Sequence, residues 1–208
     1  MPELPPGVRR TALESASPEN ASASPFDLPS GSQRPLTKME LDQIQGEQYS
    51  MVWFDDVSKA RFYNVESPTL GAPGRPFFVM PAEDGAVVHT VQGAARYSGM
   101  SPATTRAAYG TSNPDFFASP PTGNVSGEVY AIIFPKDGIP HSVPTMADAG
   151  GWPHFLEGGK TAVGLPNGGG YLVNPTREFV IPGGISVPKG SILARLGENG
   201  QLIIVRSF

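Results

Sequence analysis

The stretch NPTREFVIPGG, residues 174–184, places a carboxylate, Glu178, immediately ahead of a short apolar run and a Pro-Gly-Gly turn. Upstream lie a guanidinium, Arg61 in ARFYNVES, and a middle rich in aromatic and hydroxyl side chains, ARYSGM and AAYGTSNPDFFASP. These residue types do complementary work. A fixed carboxylate stabilises developing positive charge, a guanidinium clamps an anionic group with two parallel hydrogen bonds, and an aromatic face stacks while excluding water. Glu83 and Glu128 are reserve carboxylates. The plain structural interpretation stands beside the chemical one: Arg61 and Glu178 as solvated strand charges, and Tyr97, Tyr109 and Phe116 as core or rim aromatics.

Other chemistries are poorly served. His89, His141 and His154 are scattered, with no two at a spacing that suits a metal site, so no metal is expected. The chain has no cysteine, which excludes disulfide scaffolds, zinc-thiolate sites and cysteine nucleophiles. It contains no G-x-S-x-G elbow, Walker loop or G-x-G-x-x-G fingerprint, and NGGGY at 167–171 does not join a strand to a helix as a phosphate cradle must. A net charge of −4 and no Lys/Arg cluster give no field for a polyanion, so nucleic acid is not indicated as a partner. No apolar run reaches the roughly 18 residues of a membrane span, and no membrane partner is expected.

The elements that must hold these residues are short. The 208 residues include 25 glycines and 23 prolines, about twice ordinary usage, which favours many turns over long helices. Residues 1–36, with seven prolines and six serines, read as a disordered linker or arm, and residues 37–208 as one folded domain. Thr37 and Glu40 have capping-box spacing, predicting a short helix stopped by Gly46. YSMVWF and ARFYNVES, separated by DDVSK, predict a hairpin that puts Arg61 on an early strand. RPFFVMPAEDGAVVHTV offers two apolar runs about Glu83-Asp84-Gly85, and MSPATTRAAYG predicts a second short helix. GEVYAIIFP has the pattern of a central strand. Residues 135–170 contain no long periodic element, and a connection of that length is usually functional or mobile. Trp152 within it is a loop anchor or part of a flap. YLVN, REFVI, GISV, SILARL and QLIIVRS close the chain as short strands. The predicted fold is α+β, with a mainly antiparallel, split β-core and a few short helices.

The order of early arginine, aromatic and hydroxyl-rich middle and late glutamate resembles that of the ADP-ribosyltransferase superfamily. It is most similar to the NAD-consuming toxin domains at the C-termini of bacterial polymorphic and type VI-secreted effectors. The likeness covers roughly residues 50–208 in arrangement, with REFVIPGG the best-matched segment. It implies an ADP-ribosyltransferase-like core, NAD as substrate, Arg61 on the dinucleotide's pyrophosphate, and Tyr63, Tyr97, Tyr109, Ser112 and Phe116 around the nicotinamide. Glu178 would stabilise the charge that builds on the ribose as the bond to nicotinamide breaks. The resemblance further implies delivery into a target cell's cytoplasm as part of a larger effector, and a cognate immunity protein as partner.

Two departures shift the expected acceptor. The middle lacks an uninterrupted Ser-Thr-Ser, and the residue two before Glu178 is Thr176 where protein-modifying transferases carry a glutamate or glutamine. A single glutamate suits water as acceptor, hence NAD glycohydrolase activity, at least as well as mono-ADP-ribosylation. Two rivals remain: a ribonuclease-type toxin using His141 or His154 with Lys136 as acid and base, and a non-enzymatic binding or structural module of a secretion or phage apparatus.

Overall fold

The computed structural model describes residues 24, 26–55, 60–91, 93–94, 128–148, 160–164 and 171–208. Along the chain these form β1 (Arg34–Pro35), α1 (Lys38–Ile44), β2 (Tyr49–Asp55), α2 (Ala60–Tyr63), β3 (Thr69–Leu70), β4 (Pro76–Pro81) and α3 (Ala82–Gly85). There follow β5 (Val129–Pro135), β6 (Lys160–Gly164), β7 (Tyr171–Arg177), β8 (Phe179–Pro182), β9 (Ile185–Ser186), β10 (Ile192–Leu196) and β11 (Leu202–Ser207). The result is a mixed α+β protein with mainly antiparallel strands and few helices.

Seven strands join in one sheet in the order β1-β11-β10-β5-β2-β4-β8, and β3 with β9 and β6 with β7 make two two-stranded ribbons. Every described pairing is antiparallel. β5 lies at the centre, paired with β10 on one side and along all seven of its residues with β2 on the other. Because side chains alternate across a strand, each central strand feeds two cores. Met51, Trp53, Ala131, Ile133, Ile192 and Ile204 fill one face together with Ile44 of α1 and Ala82 of α3. Phe54, Ile132, Phe134, Leu193 and Val205 fill the other with Phe62 of α2, Leu70 and Ile181. Six of the seven residues of β5 are buried, which explains its continuous apolar run.

The helix predicted after Thr37 forms as the capping box requires. The Thr37 hydroxyl accepts from the Glu40 amide at 3.3 Å, and Glu40 Oε2 accepts from the Thr37 amide at 2.8 Å. Glu40 is buried and also takes both guanidinium nitrogens of Arg34, at 2.6 and 2.8 Å. Arg34 first, and the Thr37 bonds after it, hold the Glu40 carboxyl down at about 2. Residues 26–36, assigned by composition to the arm, belong to the folded body. Phe26 is fully buried and meets Tyr49 edge-on at 5.9 Å, and β1 pairs with β11.

One local expectation fails. ARFYNVES does not form a hairpin with YSMVWF; β2 pairs with β4 and β5, and residues 60–63 make the single helical turn α2. Two contacts favour the turn over a strand. Phe62 packs on Phe54 with ring centroids 5.2 Å apart, and Arg206 of β11 donates to the carbonyls of Phe62, Tyr63, Val65 and Glu66 at 2.6–3.2 Å. One guanidinium thus satisfies carbonyls that a strand partner would otherwise have taken.

The late strands follow the sequence closely. Gly183 and Gly184 turn the chain between β8 and β9. A Cβ at Gly183 would collide with the carbonyl oxygens of Ala72 and Arg75, and Gly184 holds φ +88° against Pro73. Both positions need glycine, one for close approach and the other for its left-handed backbone.

Candidate functional site

Glu178 occupies the one-residue break between β7 and β8, at the edge of the seven-stranded sheet. Its flanking residues are fixed from different directions. Arg177 is clamped by α3: its backbone amide and Nε donate to Asp84 Oδ2 at 2.8 and 3.0 Å, Nη2 donates to Asp84 Oδ1 at 3.0 Å, and Nη2 also bonds Glu83. Phe179 pairs with Val79 of β4 and joins the core on the α2 side of the sheet. These anchors leave little freedom at position 178.

The carboxyl itself makes no hydrogen bond or ion pair among the described residues. Burial pushes it up to about 7, because the charged form is separated from water with no cation to replace the lost solvation. A carboxyl that exchanges its proton near neutral pH can act as acid, base or electrostatic partner in turn. A strand charge open to water would keep its ordinary value. The reserve carboxylates differ: Glu83 pairs with Arg177 through Oε1, and Glu128 accepts from the Tyr130 hydroxyl at 2.5 Å and pairs with Arg195 at 3.4 Å.

Arg61 lies on a different element. It is exposed on α2, not on a strand as predicted. α2 packs on the face carrying Phe54, and its final carbonyls are held by Arg206 on β11. Tyr63 is half-exposed there and lines an open hollow of about 570 Å³ with Asn64, Glu66, Arg206 and Ser207. Phe62, between Arg61 and Tyr63, and Phe179, next to Glu178, belong to the same hydrophobic core. Tyr97, Tyr109, Ser112 and Phe116 lie outside the described residues, as do Trp152, His154 and the helix expected near Ser101.

His141 is locked into the fold. Its Nδ1 donates to the Ile139 carbonyl at 2.8 Å, so Nε2 carries the lone pair that accepts from the buried Ser50 hydroxyl at 2.9 Å. Its ring also meets Phe179 edge-on at 6.3 Å. With both ring nitrogens engaged, His141 pins residues 139–142 to the sheet, where Ser142 bridges Val180. Among the described residues no group of three or more metal-ligating side chains occurs.

A second hollow, of about 390 Å³, lies close to the β7–β8 break. Glu83 and Asp84 of α3, Val87, Val88, His89, Thr90, Gly93 and Thr176 of β7 line it. Sequence reasoning passed over it, since Thr176 was weighed only for what it is not. The available signal was a polar residue two positions before Glu178 on a strand, where alternation returns to the same side. No protein-family model, curated protein or solved structure matches the chain.

Proposed function

We propose that the protein consumes NAD, cleaving the bond between nicotinamide and ribose with Glu178 as the working carboxylate and water as the favoured acceptor. The observation that carries this reading is the Glu178 carboxyl, without a partner among the described residues, lifted by burial to about 7 and held between two anchored neighbours. The α+β, mainly antiparallel architecture is compatible with an ADP-ribosyltransferase-like core, and that finer assignment is part of the proposal. So are delivery as a toxin domain of a larger effector and inhibition by an immunity protein.

The chemistry asks one thing of the carboxylate at each stage. As the glycosidic bond breaks, its electron pair leaves with nicotinamide and the ribose ring gains positive charge, which the anionic carboxylate stabilises. Water then forms a bond to the anomeric carbon, and its proton passes to the carboxylate. The reading rests on Glu178 and does not require Arg61, which is exposed on α2 and not on a strand. A protein acceptor is less favoured because the position two residues before Glu178 is a buried threonine and not a second carboxylate or amide.

Purified protein incubated with NAD should release free nicotinamide, with Glu178→Gln reducing release by at least about 10²-fold. The rate should rise about tenfold per pH unit below pH 7 and level off above it, following the anionic fraction of a group near 7. Arg61→Ala should change release by less than about threefold, equivalent to well under 1 kcal/mol. No NAD turnover with any acceptor, or full activity in Glu178→Gln, overturns the proposal.

A further inference from the structure

The hollow beside α3 has features that the Glu178 reading does not use. Its wall combines apolar and polar surface: Val87, Val88 and Gly93 together with Glu83, Asp84, His89, Thr90 and Thr176. The charges do not cancel. Arg177 takes both oxygens of Asp84 and one of Glu83, so two carboxylates share one guanidinium and a single negative charge remains. Glu83 Oε2 has no partner among the described residues.

Thr176 supplies an independent sign of a ligand. It is only 3% exposed, yet it lines the hollow, and its hydroxyl has no hydrogen-bond partner among the described residues. A buried hydroxyl left without a partner is uncommon, because folding strips its water without replacing it. His89 adds an acceptor. Its Nδ1 donates to the Gly200 carbonyl at 3.1 Å, so that in the neutral imidazole Nε2 is the acceptor. Glu83 Oε2, the neutral His89 Nε2 and the Thr176 hydroxyl can each accept a hydrogen bond, and Glu83, Asp84 and Arg177 together leave one negative charge.

We propose that this cavity binds a small organic cation bearing one positive charge on an apolar body. The ammonium or amidinium group meets Glu83 and His89 and donates to the Thr176 hydroxyl, while the apolar body lies against Val87 and Val88. A volume of about 390 Å³ falls within the range of small-molecule sites. A strongly hydrated metal ion is a poor occupant, since half of the wall offers it no ligand.

The test is calorimetric titration of the full chain with benzylammonium and, in parallel, with its neutral near-isostere benzyl alcohol. Benzylammonium should bind saturably with one site per chain, and benzyl alcohol about tenfold or more weakly. Thr176→Val, which keeps the side-chain shape, and Glu83→Gln, which leaves the Arg177–Asp84 pair in place, should each weaken benzylammonium by about three- to tenfold. Equal affinity of the two probes overturns the proposal without recourse to any variant. So does absence of saturable binding up to about 10 mM, or discrimination that survives unchanged in both variants.

Discussion

At the scale of single residues, Glu178 carries a cost that function would have to justify. Its carboxyl binds a proton more tightly in the folded chain, near 7, than in the unfolded chain, near 4.5. The folded state therefore loses stability as pH rises through that window, and the full penalty is present above about pH 7. Partial exposure tempers the penalty to roughly 1–2 kcal/mol. Glu178→Gln should accordingly melt a few degrees higher than wild type at pH 8.5 and no higher at pH 4.5, as read by calorimetry; an equal or lower melting temperature at pH 8.5 would contradict the burial argument. The sequence singled out Glu178 from its place before VIPGG, but its pairing state was not legible there. Whether a carboxylate beside Arg177 is paired or isolated depends on which groups take the guanidinium, and Glu83 and Asp84 lie 93 or more positions away from Arg177. Position 61 failed for a similar reason, since the guanidinium of Arg206 holds the turn from 144 positions downstream.

At the scale of elements, legibility followed burial pattern. GEVYAIIFP was readable as a central strand because a strand covered on both faces needs no polar alternation, and β5 pairs along its whole length. The double coverage is testable. Ile132 and Ile133 are adjacent and fully buried but point into different cores, so each truncation to alanine should cost about 2–5 kcal/mol in chemical denaturation. If only one of the two were costly, β5 would be covered on one side alone. The capping box of α1 was equally readable, because its partners lie three residues apart. ARFYNVES misled because aromatic and β-branched residues favour extended backbone wherever nothing else decides. Here Phe62 docking on Phe54 decided, and it selected a helical turn.

For the whole molecule, the boundary of the fold is set by packing and not by composition. Proline and serine content marked residues 1–36 as an arm, yet Phe26 enters the core completely and β1 closes one edge of the sheet. Phe26→Ala should lower global stability by about 3–5 kcal/mol, as for any buried phenylalanine, measured by urea unfolding. A loss below about 0.5 kcal/mol would return this segment to the status of a tether. The sheet edge it forms has a mechanical consequence. β1 runs antiparallel to β11, with Arg34 opposite Ile204, and the Leu28 amide reaches Ser207 Oγ. The N-terminal lead into β1 and the C-terminal exit from β11 therefore leave the sheet at the same end. A pull applied through both would load the hydrogen bonds one after another, as in opening a zipper, and not all together in shear. The first piece to yield would be the clasp, drawing Phe26 out of the core while the β5–β2 centre stays closed.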